Sequence, residues 1–324
     1  QERPIASKAT STLTVKRAYG GQVASGTTYE LHRLFTAEEK QNALIYAAKS
    51  VFPGLFKKVL DNTFTTGNWV RNGDFEDWTV ATYPDYWRAV TITAAANTNA
   101  YYIARGSKSC QLSGTPGYLW TGIKFGTQLL TDLWQLAGQS IEFKVWGYAN
   151  ATSALRLAFN DGTTTTYSSY HAGDGVLREL TLTHTIPETA TAMEFRIYRD
   201  GAEGNVYVDN ARVKCSSRNR FTFDISGLGL FQNKPHKVSR ERDRDNPTYP
   251  YVIMRDWEVT SDGILRLNKL ESDNYKMRIE GIGYLALSST VSLDLDSPQT
   301  LVVQARAAQY LFENSLHARP RQDI

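Results

Sequence analysis

Between Trp69 and Cys215 the apolar residues recur at every second position, and no other feature constrains the fold of this chain as tightly. Ile141, Phe143 and Val145 alternate with Glu142, Lys144 and Trp146; Leu155, Leu157 and Phe159 alternate with Arg156 and Ala158. Met193, Phe195 and Ile197 alternate with Glu194, Arg196 and Tyr198, and Val206 and Val208 with Tyr207 and Asp209. A period of two sends successive side chains to opposite faces of a strand. Asn160-Asp161-Gly162, Ala172-Gly173-Asp174-Gly175 and Asp200-Gly201 supply turns between the runs. Many short strands at regular spacing predict two antiparallel sheets packed face to face. The aromatic residues crowd the same stretch, with Tyr83, Tyr86, Trp87, Tyr101, Tyr102, Tyr118, Trp120, Trp134, Trp146 and Tyr148 all inside it.

Outside that stretch the period changes. Thr36-Ala-Glu-Glu39 is a capping box, and Ala43, Leu44, Ala47, Ala48 and Val51 follow at helical spacing. Pro53-Gly54 interrupts the run before Leu55, Phe56, Val59 and Leu60 resume it, which predicts two helical segments with a break. Near the other end, Ser297-Pro298 reads as an N-cap with a proline in the first turn. Leu301, Val302, Ala305, Ala308, Leu311 and Phe312 then form an apolar stripe. Phe221, Phe223 and Ile225, and later Trp257, Val259, Leu265, Leu267, Met277 and Ile279, predict a second, smaller β region. The alternating charges of residues 240–245 within it read as a solvated loop with internal pairing.

The expected fold class is therefore mainly β with terminal α-helices: an antiparallel β-sandwich inserted between the halves of a helix, small-β, helix domain. The boundaries are 1–66 for the arm and first helices, 67–216 for the sandwich, and 217–324 for the small β region and final helix. Short terminal helices are unstable alone and commonly pack together. An inserted domain is tolerated when its ends lie close, which would make Trp69 and Cys215 neighbours.

Composition narrows the function classes. The 324 residues carry 36 basic and 33 acidic side chains, a net charge of +3 that gives no field for wholesale phosphate binding. Cys110 and Cys215 form no C-x-x-C pair and read as buried free thiols. No apolar run reaches the length of a membrane helix. His32, His171, His184, His236 and His317 are scattered without ligand spacing, and neither a nucleophile elbow nor a phosphate loop occurs. The expectation is a protein that is not an enzyme.

Assigning Phe143, Val145, Leu157, Phe195 and Ile197 to the core leaves Glu142, Trp146, Tyr148, Arg156, Arg196 and Tyr198 facing outward. Sugar recognition needs flat apolar faces together with polar groups that bond hydroxyls in fixed directions. Trp146, Tyr148, Arg156, Arg196 and Tyr198 are the candidate carbohydrate-binding residues on that ground.

Asn72-Gly-Asp-Phe-Glu-Asp-Trp78, Pro84-Asp-Tyr-Trp87 and Val206-Tyr-Val-Asp-Asn-Ala-Arg-Val213 resemble the jelly-roll carbohydrate-binding modules of glycan-degrading enzymes and phage proteins. The resemblance covers close to half of the chain. It implies a possible structural calcium held by Glu76 and Asp209, two carboxylates that equally suit plain strand-end caps. The flanks, from Val15-Lys-Arg-Ala-Tyr19 and Tyr29-Glu-Leu-His-Arg-Leu-Phe-Thr-Ala-Glu-Glu-Lys40 to Phe221-Thr-Phe-Asp-Ile, Asp256-Trp-Glu-Val and the closing alanine-rich helix, resemble tailed-phage head–tail connector proteins in the order of their features. That resemblance implies a structural virion protein assembled in the host cytoplasm. It would be a neck or adaptor subunit of a homo-oligomeric ring, commonly of twelve, between portal and tail or neck proteins, touching DNA only as a lumen passage and not a membrane. The alternative expectation is a carbohydrate-binding protein for adsorption to host-surface glycan.

Overall fold

The computed structural model describes residues 5–9, 12–15, 35–124, 126–201, 204, 206–243, 250–269, 274–285 and 297–318. The flank motifs at 16–34, with His32, and the charged residues 244 and 245 lie outside the described residues. The chain forms two compact units, one of residues 58–283 and one of residues 1–57 with 284–324.

In the second of these, β1 (Ile5–Ala9) and β2 (Thr12–Val15) form an antiparallel pair. Helix α1 (Ala37–Ser50) starts at the predicted box: the Glu39 amide donates to Thr36 Oγ1 at 3.2 Å and the Thr36 amide to Glu39 Oε2 at 2.8 Å. The second helical segment does not form. Residues 51–54 turn, and β3 (Lys57–Asp61) is a strand.

The larger unit holds the sandwich. Its strands are β4 (Arg88–Asn97), β5 (Ser109–Lys124), β6 (Thr127–Gln128), β7 (Ser140–Ala149), β8 (Leu155–Asn160), β9 (Thr165–Tyr167), β10 (Arg178–Thr185), β11 (Met193–Arg199) and β12 (Val206–Cys215). The hydrogen-bonded order is β10-β7-β12-β5-β11-β8-β9, with β4 also on β5. The long β5 serves both layers: residues 110–112 pair with β12 and residues 117–123 with β11. Phe143 of β7 meets Phe195 of β11 at 5.3 Å between ring centres, so the β10-β7-β12 half faces the β11-β8-β9 half across one core. The fold is an antiparallel jelly-roll sandwich, mainly β with few helices.

A smaller core lies beside it. β13 (Thr222–Asp224), β14 (Lys237–Arg240), β15 (Val252–Ile253), β16 (Trp257–Val259), β17 (Ile264–Leu267) and β18 (Met277–Gly283) make two sheets, ordered β13-β17-β16 and β15-β14-β18-β3. Phe64, Phe223, Val238, Leu265, Met277 and Ile279 fill the space between. The amide of Trp69 donates to the Val213 carbonyl at 3.0 Å, so the sandwich enters and leaves at one place.

Helix α2 (Ser297–Ala318) packs on α1 through small residues, Ala43, Ala47 and Ala48 against Val303 and Ala307, with Tyr46 stacked on Tyr310 at 4.3 Å. Of the predicted stripe, Leu311 packs against this cluster, and most of the rest is on the wrong face. Leu301, Val302 and Phe312 are 62%, 50% and 56% exposed, because close helix contact is made by the alanine-rich side rather than the bulkiest one. Among the described residues no helix is long and apolar enough to cross a membrane. Cys110 and Cys215 are buried and free, and burial pushes the Cys110 thiol pKa far up.

Sandwich and small β region are joined by charges. Arg71 pairs with Asp61 at 2.9 Å, Arg105 with Glu241, Arg220 with Asp132, and Lys276 with Asp74 at 2.9 Å; no side chain among the eight is more than 13% exposed. Arg71 and Arg105 come from the sandwich, Arg220 and Lys276 from the small region, so each side supplies two cations to carboxylates of the other. Glu241 is thus buried, not part of a solvated loop, and burial raises its pKa even against Arg105. Removing one partner of such a pair strands a buried charge. Arg220→Ala is expected to lower unfolding free energy by about 3–5 kcal/mol, and Arg220→Met with Asp132→Leu to recover most of it. Chemical denaturation measures both, and a loss below about 1 kcal/mol for the single variant would contradict the account.

Candidate functional site

The five candidate sugar-binding residues are all outward, but they do not share a face. Trp146 and Tyr148 stand on β7, on the outside of the β10-β7-β12 half; Arg156, Arg196 and Tyr198 stand on β8 and β11, on the outside of the opposite half. Alternation tells whether a side chain leaves the core and not which of two sheets it leaves from. The single platform expected from the sequence is therefore two separate surfaces.

On the β11-β8-β9 half, register builds a continuous aromatic patch. Tyr198 lies opposite Tyr118 on β5 and Arg156 on β8, and Arg196 opposite Trp120 and Ala158. Tyr198 touches Tyr118 at 4.9 Å and Tyr167 of β9 at 5.5 Å between ring centres. The Arg156 guanidinium sits 3.8 Å over the Tyr167 ring and 4.6 Å from Tyr170, and that of Arg196 is 4.7 Å over Tyr118.

Carboxylates hold both arginines in place. Arg196 donates to both oxygens of Glu194, at 3.2 and 2.9 Å, and to the Tyr198 hydroxyl at 3.1 Å. Arg156 forms an ion pair with Asp200, Nε lying 2.6 Å from Oδ2 without hydrogen-bond alignment, and the same oxygen accepts from the Tyr170 hydroxyl at 2.8 Å. That donation raises the Tyr170 pKa, and burial raises that of Tyr198. Tyr167 and Tyr170 remain 42% and 40% exposed. The patch offers flat apolar rings between polar groups of fixed direction. Tyr118, Tyr167 and Tyr170 are not among the residues expected from the sequence; the pairing of β5 and β9 brings in the first two and the segment after β9 the third, while Trp120, opposite Arg196, is fully buried.

The other surface is shaped by the Asn72–Glu76 motif. Asn72 takes φ +48° and its amide donates to the carbonyls of Asp77 and Asp85 at 2.8 and 3.0 Å. A Cβ on Gly73 would stand 2.1 Å from the Ala211 carbonyl oxygen, so only glycine lets this segment lie against β12. Asp74 holds Lys276, and Phe75 packs on Trp87 in the core.

Glu76 accepts from the amides of Ser107 and Lys108 at 2.5 and 2.8 Å and from the Ser107 hydroxyl at 2.6 Å. Asp209 is fully buried; Oδ2 accepts from the amides of Ala104 and Arg105 at 2.7 and 2.8 Å, and Oδ1 from that of Asn210 at 2.6 Å. Burial raises the Asp209 pKa well above its ordinary value, against these three donors. All four carboxylate oxygens thus face N–H or O–H donors, an arrangement that does not fit a calcium shared by the two residues. Among the described residues no three His, Cys, Asp or Glu side chains group as a metal site. Instead the two carboxylates fasten loop 104–108 over the sheet. Tyr102 fastens it further, stacked at 3.7 Å on Tyr207, with Tyr148 4.7 Å from Tyr102.

No family model and no curated protein matches the chain. Among solved structures, similar ones include a xylan-binding domain from CBM 22 (17% identity, TM-score 0.34, 49% of this chain and 97% of that one). Another is the C-terminal family 22 carbohydrate binding module of Clostridium thermocellum (16%, 0.34, 48% and 93%). A third is the enzymatically active domain of bacteriophage CBA120 tailspike protein 4 (14%, 0.34), of which the match spans 21% and 46% of this chain. At these scores the likenesses carry no argument about function.

Asp209→Asn would turn an NH2 group toward backbone N–H donors, and is expected to cost about 1–3 kcal/mol of stability. Chelator is expected to leave the melting temperature unmoved. Calorimetry reads both, and a rise of several degrees on adding calcium would contradict this assignment.

Proposed function

We propose that the sandwich binds carbohydrate on the Tyr118, Tyr198, Tyr167 patch and does not transform it. The observation that carries this reading is the contact run of three tyrosine rings flanked by Arg156 and Arg196, each oriented by its own carboxylate. Pyranose rings present apolar hydrogens on one face and hydroxyls round the edge; exposed rings serve the first and paired Arg and Asp or Glu groups the second. Oriented pairs also contribute both donors and acceptors at little net charge, which suits neutral polyols.

The use we propose is attachment of a tailed-phage virion to a glycan-bearing surface, with the helical unit fastening the chain to the particle. A ring-forming connector subunit is the lesser reading.

Full-length chain titrated calorimetrically with xylohexaose and β-1,4-galactotriose, alongside an array of bacterial surface glycans, tests the reading. Tyr198→Ala and Arg156→Ala are each expected to weaken the best ligand about 10- to 30-fold, the loss of roughly 1.4–2 kcal/mol typical of a central aromatic or arginine contact. Affinities within twofold of the parent for both variants, or an array without signal, would overturn it.

A further inference from the structure

A cavity of about 640 Å³ opens on the half of the sandwich opposite the tyrosine patch. Trp146 of β7 and Glu179 of β10 line it from the sheet and are paired in register. Arg212 and Asn210 of β12 reach the same cavity, because the strand is irregular between Asp209 and Arg212. The irregularity lets Ala211 and Val213 face the core while Arg212 stays outside. The opposite wall is loop 103–106, held by Asp209 and Glu76, and Asn274 of the small β region closes one end. The volume falls within the range of small-ligand sites.

The lining has a definite chemistry. Trp146 supplies a flat apolar face. Arg212 pairs with Glu179, and Arg105 with Glu241, so the site's cations are already neutralised. Arg212 gives one of its N–H groups to Glu179, so the guanidinium's other donors stand next to a carboxylate acceptor. Asn210 and Asn274 add amides that both donate and accept. An anionic ligand would have to displace Glu179 or Glu241 from its arginine, whereas vicinal hydroxyls accept from Arg212 and donate to Glu179 without breaking the pair.

We infer that this cavity is a second saccharide site, selective for a neutral pyranose stacked on Trp146. It shares no residue with the tyrosine patch and stands or falls separately from it.

Saturation-transfer NMR on the full chain with methyl β-glucoside, methyl β-galactoside and glucuronate tests the inference. The neutral glycosides are expected to give signals that persist in Tyr198→Ala and, in that background, fall about tenfold when Trp146→Ala is added. Ala104→Trp, which fills the cavity from its exposed loop wall without removing a core contact, is expected to do the same, so the result does not hang on Trp146→Ala folding. Neutral-glycoside signals that survive both cavity variants, or that are absent from the parent, would overturn the proposal. So would a Trp146-dependent signal from glucuronate alone. Loss in Tyr198→Ala with survival in the cavity variants would place all binding on the patch and overturn it too.

Discussion

Four buried ion pairs across the junction of the sandwich and the small β region hold the larger unit in one arrangement. Burying a charge is costly unless it is paired and hydrogen-bonded, so a seam of this kind tolerates little sliding. The pairs are reciprocal. Arg71 and Arg105 leave the sandwich to meet Asp61 and Glu241, while Arg220 and Lys276 come the other way to meet Asp132 and Asp74. Aromatic rings pack around the cations, with Arg71 between Phe64 and Tyr86 and Arg220 over Phe223.

The same seam reaches both candidate surfaces unequally. Arg105 belongs to the loop that walls the Trp146 cavity, and it donates to the Asn274 carbonyl at 2.9 Å, fixing that cavity's far end. The tyrosine patch has no such dependence. It is built from register alone, through β5, β8, β9 and β11, and its arginines are oriented by carboxylates on the same strands or the next turn. One surface is thus a property of the sandwich, and the other a property of how the sandwich is joined to its neighbour.

What the residues announce locally, the structure repeats. Thr36 and Glu39 cap α1 because both partners sit within one turn, and Phe143, Leu157 and Phe195 are buried because period two needs only a strand. What depends on distant partners was not legible. Residues 57–61 have a helical spacing of apolar side chains yet pair with β18, more than two hundred residues later. Glu241 sits in a run of alternating charges that reads as solvated, and only the approach of Arg105 buries it. Gly114-Thr-Pro-Gly117 has the composition of a turn but lies inside the 16-residue β5, so Tyr118 and Trp120 could not be assigned to the same face as Arg196. Trp146 and Tyr198 were grouped because both point away from a core; which layer each leaves is set by strand order, which no local pattern carries.

The central claim is that glycan contacts the outer face of the β11-β8-β9 half. Hydrogen–deuterium exchange of the full chain, with and without saturating oligosaccharide from the array, tests it most directly. Slowed exchange in residues 117–123, 155–170 and 194–200 is the predicted result. Protection confined to the helical unit, or none in those segments under saturating ligand, would contradict the account.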